Sequence, residues 1–298
     1  MKRMACLGLA LIMVTVPARA QPVRTEAEAS GTVLQSPAST AAGKTQRWNV
    51  LLLVSDDQRP DTIGALGNPR IETPNLDDLV RRGTVFTRAT PGCPLCVTSR
   101  AEMLSGLNCF RDGMLTAKRM RDDVTLWPEV MRRAGYHTWH VGKWHTSGRP
   151  STRGYEEVDG LFGSGKAPAQ PQRDRHGQPV TGYVGWQFQT DDGRRMPEKG
   201  IGLTPNISAE FADAALRFLR RRVDQPFFLH VNFTAPHDPL FFPPGFERRY
   251  AADQMPLPPN FLPQHPFDHG NLRGRDELLW PFPRTPADVR DELAAYYA

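Results

Sequence analysis

The chain has 298 residues, and its 37 lysine and arginine residues outnumber its 32 aspartate and glutamate residues, which gives a formal net charge of +5 at pH 7. Three of these positive charges lie in the first 20 residues, so the rest of the chain carries a net charge near +2. A surplus this small does not favour a nucleic-acid partner. Beyond the N-terminus, no stretch of sequence is apolar enough to span a membrane.

The N-terminus has the three parts of a secretory signal peptide. Two basic residues open the chain, a short apolar core follows, and Ala18 and Ala20 provide a small-residue cleavage site. We therefore predict a signal peptide at residues 1–20 and export to the periplasm or the extracellular space. Residues 21–45 are rich in Ala, Ser, Thr and Glu and are predicted to form a disordered leader.

The first strong structural signal is an apolar run, residues 48–54, that stops abruptly at Asp56 and Asp57. Such a run is typical of a strand buried on both faces of a parallel sheet. Ligands bind just beyond the carboxyl ends of these strands. Paired carboxylates at that position suit a hard cation such as Ca²⁺ or Mg²⁺, and a solvated turn is the alternative interpretation.

Two helices are predicted next along the chain. Asn75 is a good N-cap and Gly83 is a good residue to follow a helix end, so a helix with an apolar stripe is expected between them. Residues 96–106 then form a short helix that begins with the sequence Cys-Val-Thr-Ser-Arg and ends in glycine. Its first and fifth residues, Cys96 and Arg100, are candidate functional side chains.

The next two strands also end in polar residues. A helix at 126–134 leads into a strand at 136–141, and Lys143 and His145 follow at the carboxyl end of that strand. A helix at 206–222 leads into another apolar strand, which ends in a turn that carries His237.

Histidines within these strands are predicted to be structural rather than functional. They are His137, His140 and His230. The segment 146–203, rich in Gly, Pro, Gln and Arg, shows little periodicity and is predicted to form long active-site loops.

Five motifs in this order resemble the sulfatase family of the alkaline-phosphatase-like superfamily. They are the Asp-Asp after the first strand, the Thr-Pro-Asn-Leu-Asp helix at 73–77, the Cys-x-Thr-Ser-Arg signature at 96–100, the Gly-Lys-Trp-His sequence at 142–145 and the Pro-His-x-Pro turn at 236–239. The resemblance implies an α/β fold with a mostly parallel sheet flanked by helices. It covers residues 46–298, which we interpret as a partial N-terminal catalytic domain, incomplete at the C-terminus.

The resemblance implies the hydrolysis of sulfate esters, as in an arylsulfatase, including those of sulfated carbohydrates. A maturation enzyme would oxidise Cys96 to formylglycine, whose hydrate attacks sulfur and later expels sulfate. Arg100 and Lys143 would neutralise the sulfate, and His145 would hydrogen-bond the formylglycine hydrate. His237 would assist departure of the alcohol.

The resemblance also implies a divalent cation, Ca²⁺ or Mg²⁺, bound by Asp56, Asp57 and residue 96. Family members take two further ligands from an Asp-(His/Asn)-Gly sequence after a later strand, which this chain lacks. An Asp-His-Gly at 268–270 follows no apolar strand and precedes the last helix, so it is not predicted to replace that pair.

Two other functions stay open from the sequence. One is a phosphonate or phosphodiester hydrolase of the same superfamily, and the other is an inactive, truncated protein that binds anionic glycans. A further possibility concerns Cys93 and Cys109, which are free to pair with each other in an oxidising compartment if Cys96 becomes formylglycine. The sequence does not decide that pairing.

Overall fold

A computed structural model describes residues 11–17, 47–117, 119–165, 172–268, 270–274 and 276–298. The strands are β1 (Leu11–Pro17), β2 (Trp48–Val54), β3 (His137–Lys143), β4 (Glu157–Gly163), β5 (Gln187–Phe188) and β6 (Phe227–Asn232). The helices are α1 (Pro74–Arg82), α2 (Cys96–Ser105), α3 (Met114–Ala117), α4 (Trp127–Arg133), α5 (Ile207–Leu219) and α6 (Pro286–Tyr297). Among these described helices, none combines the length and the apolar character needed to cross a membrane.

The strands form one six-stranded sheet in the order β1-β2-β6-β3-β4-β5. The four central strands, β2, β6, β3 and β4, are mutually parallel, whereas β1 and β5 pair antiparallel at the two edges. This arrangement confirms the predicted α/β class. Strand β1 lies within the predicted signal peptide, which otherwise falls outside the described residues, as does the predicted leader at 21–45, and both remain predictions.

Side chains alternate between the two faces of the sheet, and helices cover both faces. On one face, Trp139 of β3 and Leu229 of β6 pack against Phe211 and Phe218 of α5. On the other face, Leu52 and its neighbours from β2 and β6 pack against residues of α2 and α4. Burial on both faces explains why β2 and β6 are mostly apolar in sequence.

The predicted helices form close to their expected limits. The predicted N-cap Asn75 is wrong, because Thr73 is the N-cap and helix α1 begins at Pro74, whose missing N–H suits the first position of a helix. Helix α5 ends three residues earlier than predicted. The segment 146–203 is not all loop, because it contributes the parallel strand β4 and the short strand β5.

Candidate active site

Three neighbouring parallel strands end at the same edge of the sheet, and each delivers a buried polar side chain there. Asp56 lies two residues beyond β2, Asn232 is the last residue of β6, and Lys143 is the last residue of β3. Each of these residues is at most 2% exposed. The backbone N–H of Asp56 donates to the carbonyl oxygen of Ala235, at 3.1 Å, which ties the segment after β2 to the segment after β6.

Gly142 explains the glycine of the Gly-Lys-Trp-His sequence. It pairs with Asn232 across β3 and β6, and the register between β3 and β4 shifts between Val141 and Gly142. Its φ of +91° lies in the left-handed region, and a Cβ there would stand 2.0 Å from the carbonyl oxygen of Asn232. Only glycine permits this close approach, which aims Lys143 at the carboxyl edge.

Asp56 is the centre of a buried charge cluster. Its Oδ2 accepts hydrogen bonds from Nζ of Lys143 and from the hydroxyl of Tyr183. Nη2 of Arg100 lies 3.7 Å from Oδ1 of the same carboxylate. The Lys143 ammonium also donates to the Tyr183 hydroxyl, at 2.6 Å. Two buried cations therefore share one carboxylate.

This shared carboxylate is strongly held in its ionised form. Burial raises the pKa of Asp56, but the charges of Arg100 and Lys143, with a smaller contribution from His237, outweigh burial and hold that pKa well below its usual range. Burial lowers the pKa of Lys143, and the Asp56 charge opposes that effect. With both basic residues charged, the cluster carries one positive charge more than it has negative charges, which favours an anionic ligand.

Arg100 has more hydrogen-bond donors than the surrounding side chains accept from. Its Nη1 donates to Oδ1 of Asn232. Its Nε and Nη2 are buried and have no hydrogen-bond acceptor among the described residues. Because buried donors are normally paired, two unpaired N–H groups of a 3% exposed guanidinium point to a ligand that accepts from them.

Cys96 opens helix α2 and faces His145. Its Sγ lies 3.3 Å from Nδ1 of His145. Burial, followed by the charges of Lys143 and Arg100, lowers the pKa of His145 to about 3, so the imidazole is neutral near pH 7. A neutral imidazole next to residue 96 has a nitrogen lone pair that is able to accept a proton from that residue.

His237 has the opposite electrostatic setting. Burial lowers its pKa, but the hydrogen bond and charge of Asp238, together with the charge of Asp56, outweigh burial and raise it. Its Nδ1 lies 2.7 Å from the carbonyl oxygen and 2.9 Å from Oδ1 of Asp238. The ring is therefore oriented through Nδ1, and protonation of Nε2 would make that nitrogen a donor.

Tyr183 belongs to this cluster, and the sequence analysis did not single it out. Its hydroxyl contacts Asp56 and Lys143, and its ring packs edge-on against His237, with 4.8 Å between the ring centroids. It lies in the aperiodic segment 146–203 and has a φ of +57°, which is uncommon for a side chain of this size. No motif or periodicity marks such a residue in the sequence.

The predicted metal ligands Asp56 and Asp57 offer carboxylate oxygens, the donors that Ca²⁺ and Mg²⁺ prefer, but they are only two residues. Asp56 and Asp57 follow β2 directly, and Asp57 has a φ of +60° that aspartate tolerates better than most residues. A group of three candidate ligand side chains lies elsewhere within the described ranges, at His176, Asp291 and Glu292. Their ligand atoms all lie within 4.8 Å of one another. Both carboxylates of that group already pair with the guanidinium of Arg175, at 2.6 Å.

A cavity of about 320 Å³ opens beside the site. Asp57, Pro236 and Asp238 line it, together with Arg59 and Trp280. The volume falls within the range of ordinary small-molecule pockets, and the lining offers both cations and aromatic rings.

Comparisons with known proteins identify the family of this chain. A family model described as Sulfatase matches residues 48–297. The chain is 32% identical over 229 residues to N-acetylgalactosamine-6-sulfatase of Canis lupus familiaris, a match that covers 70% of this chain and 43% of that protein. It is 29% identical over 239 residues to an arylsulfatase of Clostridium perfringens, covering 70% of this chain and 47% of that protein.

A solved structure also shares the fold. The phosphonate monoester hydrolase SpPMH from Silicibacter pomeroyi matches 82% of this chain and 55% of its own, with a TM-score of 0.55 and 19% sequence identity.

The chain belongs to the sulfatase family, and its α/β fold is the predicted alkaline-phosphatase-like one. It spans less than half the length of the curated relatives that it matches.

Proposed function

We propose that this chain carries the reaction centre of a sulfuric ester hydrolase. The observation that carries the proposal is the buried pair of cations, Arg100 and Lys143, beside Cys96 and His145. The cluster has a surplus positive charge and two unpaired Arg100 N–H groups, which suits the oxygens of a sulfate group. Substrate binding would then supply the hydrogen-bond acceptors that Arg100 lacks.

Residue 96 is the proposed nucleophile after oxidation of its thiol to formylglycine by a maturation enzyme. The hydrate would supply one hydroxyl to attack sulfur and a second whose loss of a proton drives the release of sulfate. His145 fits the role of base, because its neutral ring lies 3.3 Å from the side chain of residue 96. The position at the start of α2 adds the positive end of the helix dipole beneath the reacting group.

His237 is the proposed acid for the leaving alcohol. Its raised pKa favours the protonated ring near neutral pH, and Asp238 fixes that ring through Nδ1. An imidazolium held in this way is able to donate from Nε2 to the bridging oxygen of the ester as the S–O bond breaks. Tyr183 would hold the Lys143 ammonium in place while the sulfate is bound.

We propose that Asp56, Asp57 and residue 96 hold a divalent cation, Ca²⁺ or Mg²⁺. Carboxylate oxygens are the preferred donors for both ions, so the donor type fits, although these residues supply fewer than the 6–8 oxygens that Ca²⁺ takes. A bound cation would act as a Lewis acid that stabilises negative charge on the reacting group. Both oxygens of Asp56 already face cationic groups, so its charge would then be shared among Arg100, Lys143 and the bound cation.

The proposed substrate is a sulfated carbohydrate, with a hexosamine 6-sulfate as the first choice. The relative at 32% identity is named for N-acetylgalactosamine 6-sulfate. The cavity next to Pro236 and Asp238 has room for a sugar ring, with Trp280 as a face for stacking. Export through the predicted signal peptide would place the protein where such glycans occur.

The test is hydrolysis by protein made in cells that carry a formylglycine maturation system, with Ca²⁺ supplied. N-acetylgalactosamine 6-sulfate, an aryl sulfate, an aryl phosphate and a phosphonate monoester are compared at equal concentration. We expect sulfate release, lost in Cys96→Ala. Faster hydrolysis of the phosphate or phosphonate would assign the protein to the rival class of esterase. Glycan binding without any hydrolysis would make it a binding protein.

A further inference from the structure

Two cysteines that the proposed reaction does not use lie together beneath helix α2. Cys109 is buried, at 5% exposed, in a cluster with Ala101 and Leu104 of that helix, and Cys93 packs against the same cluster. Cys93 is partly exposed and precedes α2 by three residues. All three cysteines in the described part of the chain carry free thiols in this structure.

A single carboxylate holds the backbones of both cysteines. Oε1 of Glu102 accepts from the backbone N–H of Cys109 at 2.8 Å, and Oε2 accepts from the backbone N–H of Cys93 at 3.3 Å. Oε2 also accepts from the N–H of Gly92 at 3.1 Å. The two oxygens of one side chain therefore fix the loop before α2 and the loop after it side by side, an arrangement that brings the two thiols into one cluster.

The third cysteine is engaged elsewhere. The Sγ of Cys96 faces Nδ1 of His145 across the reaction centre, whereas Cys93 packs into the cluster with Cys109. The sequence spacing of Cys93 and Cys96 alone would suggest a disulfide between them, but their side chains face different parts of the structure. The packing separates one catalytic thiol from two structural thiols.

We propose that Cys93 and Cys109 form a disulfide bond that braces the nucleophile loop. The oxidant is a small-molecule or protein disulfide. The Cys93 thiolate attacks one sulfur of that disulfide and releases a thiol. The Cys109 thiolate then attacks the Cys93 sulfur of the mixed disulfide and releases the second thiol. The two cysteines lose two protons and two electrons in all, and these appear on the two thiols of the reduced oxidant.

The bond would leave Cys96 as the one reduced cysteine of the three. A thiol at residue 96 is the starting material for formylglycine, and a disulfide at that position would block the oxidation. Pairing of Cys93 with Cys109 removes both competing thiols from reaction with Cys96. It would also anchor the chain immediately before residue 96, and thus hold the nucleophile at the distance from His145 that the structure shows.

Peptide mass spectrometry tests the bond without any assay of activity. The purified chain is incubated with oxidised glutathione, its remaining thiols are alkylated with iodoacetamide, and it is digested with trypsin without reduction. Cleavage after Arg88, Arg100 and Arg111 yields peptide 89–100, which holds Cys93 and Cys96, and peptide 101–111, which holds Cys109. We expect the two peptides to be joined, with a mass that is two hydrogens below the sum of their separate masses. Fragmentation of the joined peptides should place the bond on Cys93.

Variants separate the possible pairings. Cys96→Ala should keep the joined peptides, and Cys93→Ser should abolish them and leave Cys109 alkylated. A bond that fragmentation places on Cys96, a loop within peptide 89–100, or alkylation of all three cysteines after oxidation would each overturn the proposal. Because the wild-type chain and Cys96→Ala give the decisive result, the inference remains testable even if Cys93→Ser does not fold.

Discussion

Asp56→Asn should destabilise the fold much more than Lys143→Met, although both changes remove one charge from the same cluster. The Asp56 and Lys143 side chains are 3% and 1% exposed, and Arg100 is the third member. Asp56→Asn leaves two buried cations without a counter-charge. Lys143→Met leaves one cation and one anion in place, with Tyr183 still donating to the carboxylate.

The expected magnitudes follow from these contacts. Removing one partner of a buried ion pair costs about 3–5 kcal/mol because the other charge stays buried and unpaired. Lys143→Met should cost less, because Arg100 remains opposite Asp56 and the change also removes a desolvated ammonium. The free energy of unfolding should therefore fall more in Asp56→Asn than in Lys143→Met.

Urea unfolding measures both values, with a chelator present so that no divalent cation binds Asp56. In a domain of this size, each 1 kcal/mol shifts the thermal midpoint by about 2–4 °C, so the two variants should also differ in a thermal scan. Equal losses in the two variants, or a larger loss in Lys143→Met, would show that the carboxylate does not balance two cations.

The pH dependence of the Asp56 contribution has a defined sign. Its pKa in the folded state lies below the usual value, so its stabilisation is present above pH about 4 and is lost as the pH falls further. The gap in unfolding free energy between wild type and Asp56→Asn should shrink as the pH is lowered through that range. A gap that widens in acid would contradict the proposed ion pairs.

Three further predictions concern other parts of the site. Tyr183→Phe should lower kcat/KM about 10- to 100-fold, because it removes two hydrogen bonds, one to each of two charged groups. Tyr250→Phe, whose hydroxyl accepts from the backbone N–H of Glu72 rather than from a site residue, should not, and equal effects would remove Tyr183 from the site. Ca²⁺ should raise the thermal midpoint of the wild type but not of Asp57→Asn, which keeps a residue that tolerates the left-handed backbone, and an equal response would refute that ligand. Reducing a Cys93–Cys109 bond should lower the unfolding free energy by about 3 kcal/mol, as for a closed loop of some 15 residues, and no change on reduction would argue against the bond.

Strand ends were the most predictable part of the site. The runs before Asp56 and His237 are mostly apolar because both strands have helices packed on both faces of the sheet, so their carboxyl ends could be located from the sequence. The prediction for the strand histidines agrees with the exposure of His140 and His230, at most 1%. The side chain of His137, by contrast, is 34% exposed and lies 3.2 Å from the carboxylate of Glu156. Strand β3 extends two residues beyond its predicted end at Val141, so Lys143 is its last residue rather than a residue after it.

The segment 146–203 shows where pattern analysis fails. Strand β4, Glu157–Gly163, contains two charged residues and two glycines, and its first half is only partly buried, so it lacks the periodicity of a strand. Tyr183 reaches the site through a turn whose geometry is fixed by contacts with Asp56 and His237, more than 50 residues away in sequence. Contacts of that range leave no local signal.

The most direct test of the reaction centre replaces Cys96 with serine. A serine hydroxyl is able to attack sulfur but has no second hydroxyl to expel sulfate, so the reaction should stop after one turnover. In the presence of Ca²⁺ and an aryl sulfate, we expect one equivalent of phenol per protein and an SO₃ group on residue 96, found by mass spectrometry of peptide 89–100. Continued turnover, or no sulfated peptide together with no phenol, would contradict nucleophilic attack from residue 96.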